Sequence, residues 1–137
     1  MPKYSFPHKE VKSAIFGSVK GPLIHLKVWS RVQRRWLDLY DVLADTGADI
    51  SLFPREVGEM ILEKPKSGKL MEVQGVSPYA RLQPHIHILT MAIGDMVFKA
   101  PVAIADASSV PPILGRVKGL DLFNASFQKG RRLILAR

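Results

Sequence analysis

Apolar and polar residues alternate along most of this chain. Residues 22–29 read Pro-Leu-Ile-His-Leu-Lys-Val-Trp, with apolar side chains returning at the spacing of a strand that buries one face. Residues 31–35 are a polar break, and 36–44 (Trp-Leu-Asp-Leu-Tyr-Asp-Val-Leu-Ala) resume the strand pattern, so the two runs predict a β-hairpin. A second hairpin is predicted from 70–74 and 79–83, around a mobile tip Gly75-Val76-Ser77-Pro78. A third pairs 85–93 with 96–105 across the Gly94-Asp95 turn, and a last one joins 127–128 to 132–135 around Lys129-Gly130-Arg131. Helical spacing occurs twice: over 54–61, where Pro54 suits a first turn and Val57, Met60 and Ile61 share a face, and over 116–123. The prolines and serines of 106–112 cannot continue a strand. Many short strands with one or two short helices predict an all-β fold, a small closed β-barrel.

The length, 137 residues, fits one domain. With 47% hydrophobic and 23% charged residues, the composition is that of a globular chain able to bury a core. There are no cysteines, which excludes disulfides and thiolate chemistry and suits a reducing compartment. The most apolar N-terminal stretch, 14–19, is too short to span a bilayer and has no small-residue cleavage pattern, so the expected location is cytoplasmic, away from membranes. The net charge of +8 raises a nucleic-acid role as an alternative. The charges are spread along the chain, the densest clusters (Arg31, Arg34 and Arg35; Lys64, Lys66 and Lys69; Lys129, Arg131 and Arg132) lie near turns or strand ends, and no recognised binding motif accompanies them.

One loop breaks the alternation in a way that suggests chemistry. Val42-Leu43-Ala44 leads into Asp45-Thr46-Gly47-Ala48-Asp49, and Ile50-Ser51-Leu52-Phe53-Pro54 follows. Apolar flanks on both sides would bury the loop, and a buried carboxylate has to be hydrogen-bonded or paired. Gly47 permits a tight turn, and the Thr46 hydroxyl can fix the loop. A tight turn capped by Asp and Thr is the alternative for these residues taken alone. About 70 residues later comes Pro112-Ile113-Leu114-Gly115-Arg116, in which two apolar residues, a glycine and an arginine open a short helix candidate.

Together the two segments resemble the retropepsin family, the retroviral-type aspartic proteases, and within it the small prokaryotic domains whose catalytic loop runs into a Leu-Phe-Pro sequence, here Leu52-Phe53-Pro54. The resemblance covers roughly 23–135 and implies an acid-protease barrel with a flap hairpin, a domain over 21–137, and an N-terminal extension over 1–20 that does not align. It implies that Asp45, with Thr46 and Gly47, is catalytic, Thr46 reaching a partner's loop and Gly47 contacting substrate through its backbone. Ala48, Asp49, Gly75, Val76 and Ser77 are implied on the substrate side, the last three as the flap tip, with Asp49 also paired to Arg116 and Gly115 supporting the loop. No cofactor and no metal is implied. The flap departs from the retroviral pattern: it has less glycine, and Pro78 stiffens it. Val117 stands where retroviral enzymes commonly have a polar residue.

Aspartic proteolysis uses two carboxylates that share one proton. None of Asp38, Asp41, Asp49, Asp95, Asp106 and Asp121 is followed by Thr-Gly or Ser-Gly. The second carboxylate must then come from another copy across a two-fold axis, which predicts a homodimer acting on a peptide or protein. Ala48 cannot donate the hydroxyl that some aspartic proteases place there to favour the ionised carboxylate, so the expected optimum is mildly acidic to near neutral. Ala44, Val76, Ala103 and Ile113 are the expected pocket residues. A peptide-binding or regulatory module without turnover is the other reading of the same fold. His85 and His87 alternate on one strand but lack a third ligand at metal spacing, Trp29 and Trp36 read as packing, and Ser51, Ser108 and Ser109 have no nucleophile-elbow context.

Overall fold

Which side of each strand turns inward follows directly from its alternation. The computed structural model describes residues 2–70 and 83–137. In it β1 (Lys3–Pro7), β2 (Lys9–Ser13) and β3 (Gly17–Gly21) precede β4 (Leu23–Ser30) and β5 (Arg35–Ala44). Then come β6 (Ser51–Phe53), the helix α1 (Arg55–Ile61), β7 (Lys69–Leu70), β8 (His85–Ile93), β9 (Met96–Ile104), β10 (Ile113–Leu114), β11 (Asn124–Gln128) and β12 (Arg132–Ala136). The predicted tip Gly75-Val76-Ser77-Pro78 and its flanks over 71–82 lie outside the described residues.

Six strands close a barrel in the order β4-β5-β10-β6-β9-β8, with β8 returning to β4 through Lys27 opposite Ala92 and Val28 opposite Met91. Along β4 every second residue is buried, and Ile24, Leu26 and Val28 enter the core. β5 changes phase midway. Ile24 faces Val42 but Leu26 faces Leu39, so β5 carries an extra residue at a bulge. The bulge leaves both Tyr40 and Asp41 exposed while Leu37 and Val42 stay buried. β10 is only two residues long, yet it joins the halves of the barrel, parallel to β5 and antiparallel to β6.

A second sheet, β1-β12-β11, joins the two ends of the chain, with Lys3 opposite Ala136 and Pro7 opposite Arg132. Leu133 and Leu135 are fully buried, and Tyr4 and Phe6 pack against the same core. The Tyr4 ring lies over the β8–β9 turn at Gly94, where a Cβ would sit 2.2 Å from the ring, and its hydroxyl donates to Asp95.

The predicted helix over 54–61 is α1. The one predicted over 116–123 is not a helix. Residues 116–119 form a turn, followed by a short 3-10 segment, Leu120–Leu122. Lys118 is left-handed at φ 54°, and the Leu120 N–H donates back to the Gly115 carbonyl at 2.9 Å, which closes the turn before an α-helical ladder can start. Among the described residues no helix is long and apolar enough to cross a membrane.

Candidate active site

β5 ends at Ala44 and delivers Asp45 to the rim of the barrel, half-buried. The turn that follows is closed on itself. The Ala48 N–H donates to the Asp45 carbonyl at 3.2 Å, and the Gly47 N–H donates to Asp45 Oδ1 at 2.9 Å. Among the described residues no other group donates to this carboxylate, and no cation pairs with it. Asp41, Asp49 and Asp106, by contrast, are each paired with a lysine or an arginine, and Asp38 shares a hydrogen bond with His25.

The loop is braced by the segment around β10. Leu43 and Asp45 donate their N–H groups to the Pro112 and Leu114 carbonyls, both at 3.0 Å. In return Arg116 and Val117 donate to the Ala48 and Asp49 carbonyls, both at 2.9 Å. Gly115 sits where these segments cross: a Cβ there would lie 2.6 Å from the Ile50 carbonyl, so any side chain would drive the backbones apart. The Gly115 N–H is met by Ser51 Oγ at 2.9 Å, and Ser51 is wholly buried. Its position in the apolar run Ile50-Ser51-Leu52-Phe53 was the available signal of a buried hydroxyl needing a partner.

Arg116 Nη2 donates to Asp49 Oδ1 at 2.7 Å. This hydrogen bond first, then the charges of Asp49 and Asp121, raise the pKa of the guanidinium above that of an ordinary arginine. Asp49 remains 82% exposed, so one side of its carboxylate is open to solvent. Thr46 and Gly47 are exposed beside Asp45. Beneath them Ala48, Ala103 and Ile113 join Leu52 and Ala105 in a small apolar cluster, while Ala44 belongs to the main core. Gly75, Val76 and Ser77 lie outside the described residues. His87 Nε2 lies 2.6 Å from the Pro65 carbonyl. Among the described residues no three His, Asp or Glu side chains gather as metal ligands.

The chemistry available is that of a half-buried carboxylate held by one described backbone donor, next to a small apolar cluster. It suits a general base acting on water. No family model and no curated protein matches the chain. Among solved structures it is similar to a retropepsin-like aspartic protease from Rickettsia conorii, with a TM-score of 0.62 at 15% identity, covering 98% of this chain and 91% of that one. It is also similar to the EIAV protease complexed with the inhibitor HBY-793, with a TM-score of 0.47 at 21% identity, covering 77% of this chain and 88% of that one.

Proposed function

Taking as premise that the chain has the retropepsin-like fold, we propose that it is an aspartic endopeptidase acting as a homodimer, each copy supplying Asp45. The observation that carries this reading is the Asp45 carboxylate itself, free of any cation among the described residues and held by the Gly47 N–H within a loop braced from β10. A carboxylate kept only to cap a turn would not need that second brace. Two such groups across a two-fold axis share one proton. The ionised one takes a proton from water as the water oxygen attacks the scissile carbonyl carbon. The protonated one donates to the carbonyl oxygen, giving a neutral tetrahedral diol. Collapse of the diol breaks the C–N bond, with a proton passing to the leaving amine.

In this reading the exposed Thr46 hydroxyl meets the partner's loop, the Gly47 backbone and the open side of Asp49 bind the substrate main chain, and Gly75, Val76 and Ser77 are further substrate-binding residues. The small residues Ala48 and Ala103 beside Ile113 leave room for an apolar side chain. The substrate is then a peptide or an extended segment of a protein.

The test is cleavage of a mixed peptide library across pH by the purified chain and by Asp45→Asn. Cleavage by the wild type alone supports the reading. Equal cleavage by Asp45→Asn, or cleavage by a strictly monomeric protein, overturns it.

A further inference from the structure

The hairpin β2–β3 stands apart from both sheets. It pairs only within itself, Lys9 opposite Gly21 and Ser13 opposite Gly17. Its tip is Ala14-Ile15-Phe16, closed by Gly17 at φ 76° and by Ser13 Oγ, which accepts from the N–H groups of Ile15 and Phe16. The tip is apolar and bare: Ile15 is 84% exposed, Phe16 73%, and Val19 on the adjoining strand 41%. Two-stranded hairpins are marginal in water by themselves. One that holds two large apolar side chains outward, with no described residue of its own chain covering them, is shaped to be covered by something else.

The root of the hairpin points to what covers it. β3 ends at Gly21, and the next residue, Pro22, accepts a hydrogen bond from the Ala44 N–H at 3.0 Å, one residue before the Asp45 carboxylate. At the other strand, Lys9 Nζ pairs with Asp41 Oδ1 at 2.8 Å, on the bulge of β5. The root of the hairpin is therefore joined to the last residues of β5 before Asp45, and in the dimer proposed above that stretch lies beside the two-fold axis.

We propose that β2–β3 is a dimerisation arm whose tip, Ile15 and Phe16, docks on a second copy of this chain. The proposal rests on the homodimer reading of Asp45 and gives residues 9–21 a role in it. It also makes the site depend on a segment that carries no catalytic group. The arm's root meets β5 through Lys9–Asp41 and Pro22–Ala44, so the proposal links docking of the tip to the strand that carries Asp45.

The test uses the full chain. Sedimentation equilibrium compares the wild type with Ile15→Ser/Phe16→Ser, whose substitutions lie on solvent-exposed side chains and leave the core intact. Loss of two apolar anchors on each of two arms should weaken dimerisation about a hundredfold. Cleavage should fall at low protein concentration and recover at high concentration. Because the chain has no cysteine, Ile15→Cys carrying a thiol-linked photocrosslinker gives a second readout, expected to yield a covalent dimer. Unchanged dimerisation of the double variant, crosslinks confined within one chain, or a monomeric wild type overturns the proposal. Binding of the wild type to anionic vesicles that is lost in the double variant, with dimerisation unchanged, would assign the tip to a membrane surface instead. If the wild type dimerises through the arm but cleaves nothing, the protease reading fails and the arm stands. If cleavage persists while the double variant dimerises normally, the arm fails and the protease reading stands.

Discussion

The Ser51 hydroxyl accepts the Gly115 N–H at 2.9 Å in a place closed to water, tying the strand after the Asp45 loop to the segment that backs it. Ser51→Ala leaves that N–H buried without an acceptor, which costs about 1–3 kcal/mol. Denaturant unfolding should show a loss in that range. Cleavage should fall further than stability, about tenfold, because the loop that positions Asp45 loosens.

Gly115→Ala should be the more damaging change. A Cβ 2.6 Å from the Ile50 backbone cannot be relieved by rotating a side chain, so the Asp45 loop and the β10 segment must separate. Overpacking of this kind costs about 1–3 kcal/mol or more. Activity should be lost altogether while the barrel still folds, as judged by circular dichroism and a lowered Tm.

The Asp49–Arg116 pair should behave in the opposite way. Both side chains are largely exposed, and exposed pairs contribute little to folding. Asp49→Asn should leave Tm essentially unchanged and raise KM about tenfold if its open side holds the substrate main chain. A large fall in Tm with unchanged KM would make the pair structural only.

Tyr4 gives a pH dependence with a definite sign. Its hydrogen bond to Asp95, with some burial and the Asp95 charge added, raises the phenol pKa above its usual value near 10. The neutral phenol is the form the fold prefers, so the contribution is fully present below pH 10 and is lost as pH rises through the raised value. The Tm of wild type should exceed that of Tyr4→Phe at neutral pH, and the difference should shrink above about pH 10.

Ala48 sets an expectation for the acid side of the rate profile. Its N–H closes the Asp45 turn, but its side chain has no hydroxyl to favour the ionised carboxylate. Ala48→Ser should move the acid limb of kcat/KM to lower pH, by up to about one unit. A wild-type optimum already at about pH 2–3, roughly the pepsin-like range, would contradict this.

Much of the barrel was legible because alternation is a local signal. β4, β5, β8 and β9, and the Gly94-Asp95 turn, follow from spacing and turn residues alone. The segments that failed depend on partners far along the chain. β1 pairs with β12 at the opposite end, and no local pattern in Tyr4 or Phe6 announces it. The bulge of β5 appears only against β4. Residues 116–123 read as a short helix candidate, but the left-handed Lys118 and the return bond from Leu120 to Gly115 decide otherwise. At the site, the two segments that embrace could be identified from Asp45-Thr46-Gly47 and Ile113-Leu114-Gly115-Arg116, whereas the clasp between Ser51 and Gly115 could not.

The brace of the Asp45 loop also sets an order in time. Gly115 lies 64 residues beyond Ser51. A ribosome adding about 5–20 residues per second makes the acidic loop roughly 3 to 13 s before the stretch that locks it. During synthesis the loop hangs from β5 without its clasp, and whatever reaction it performs begins only after the Gly115 segment has been made and has docked on Ser51.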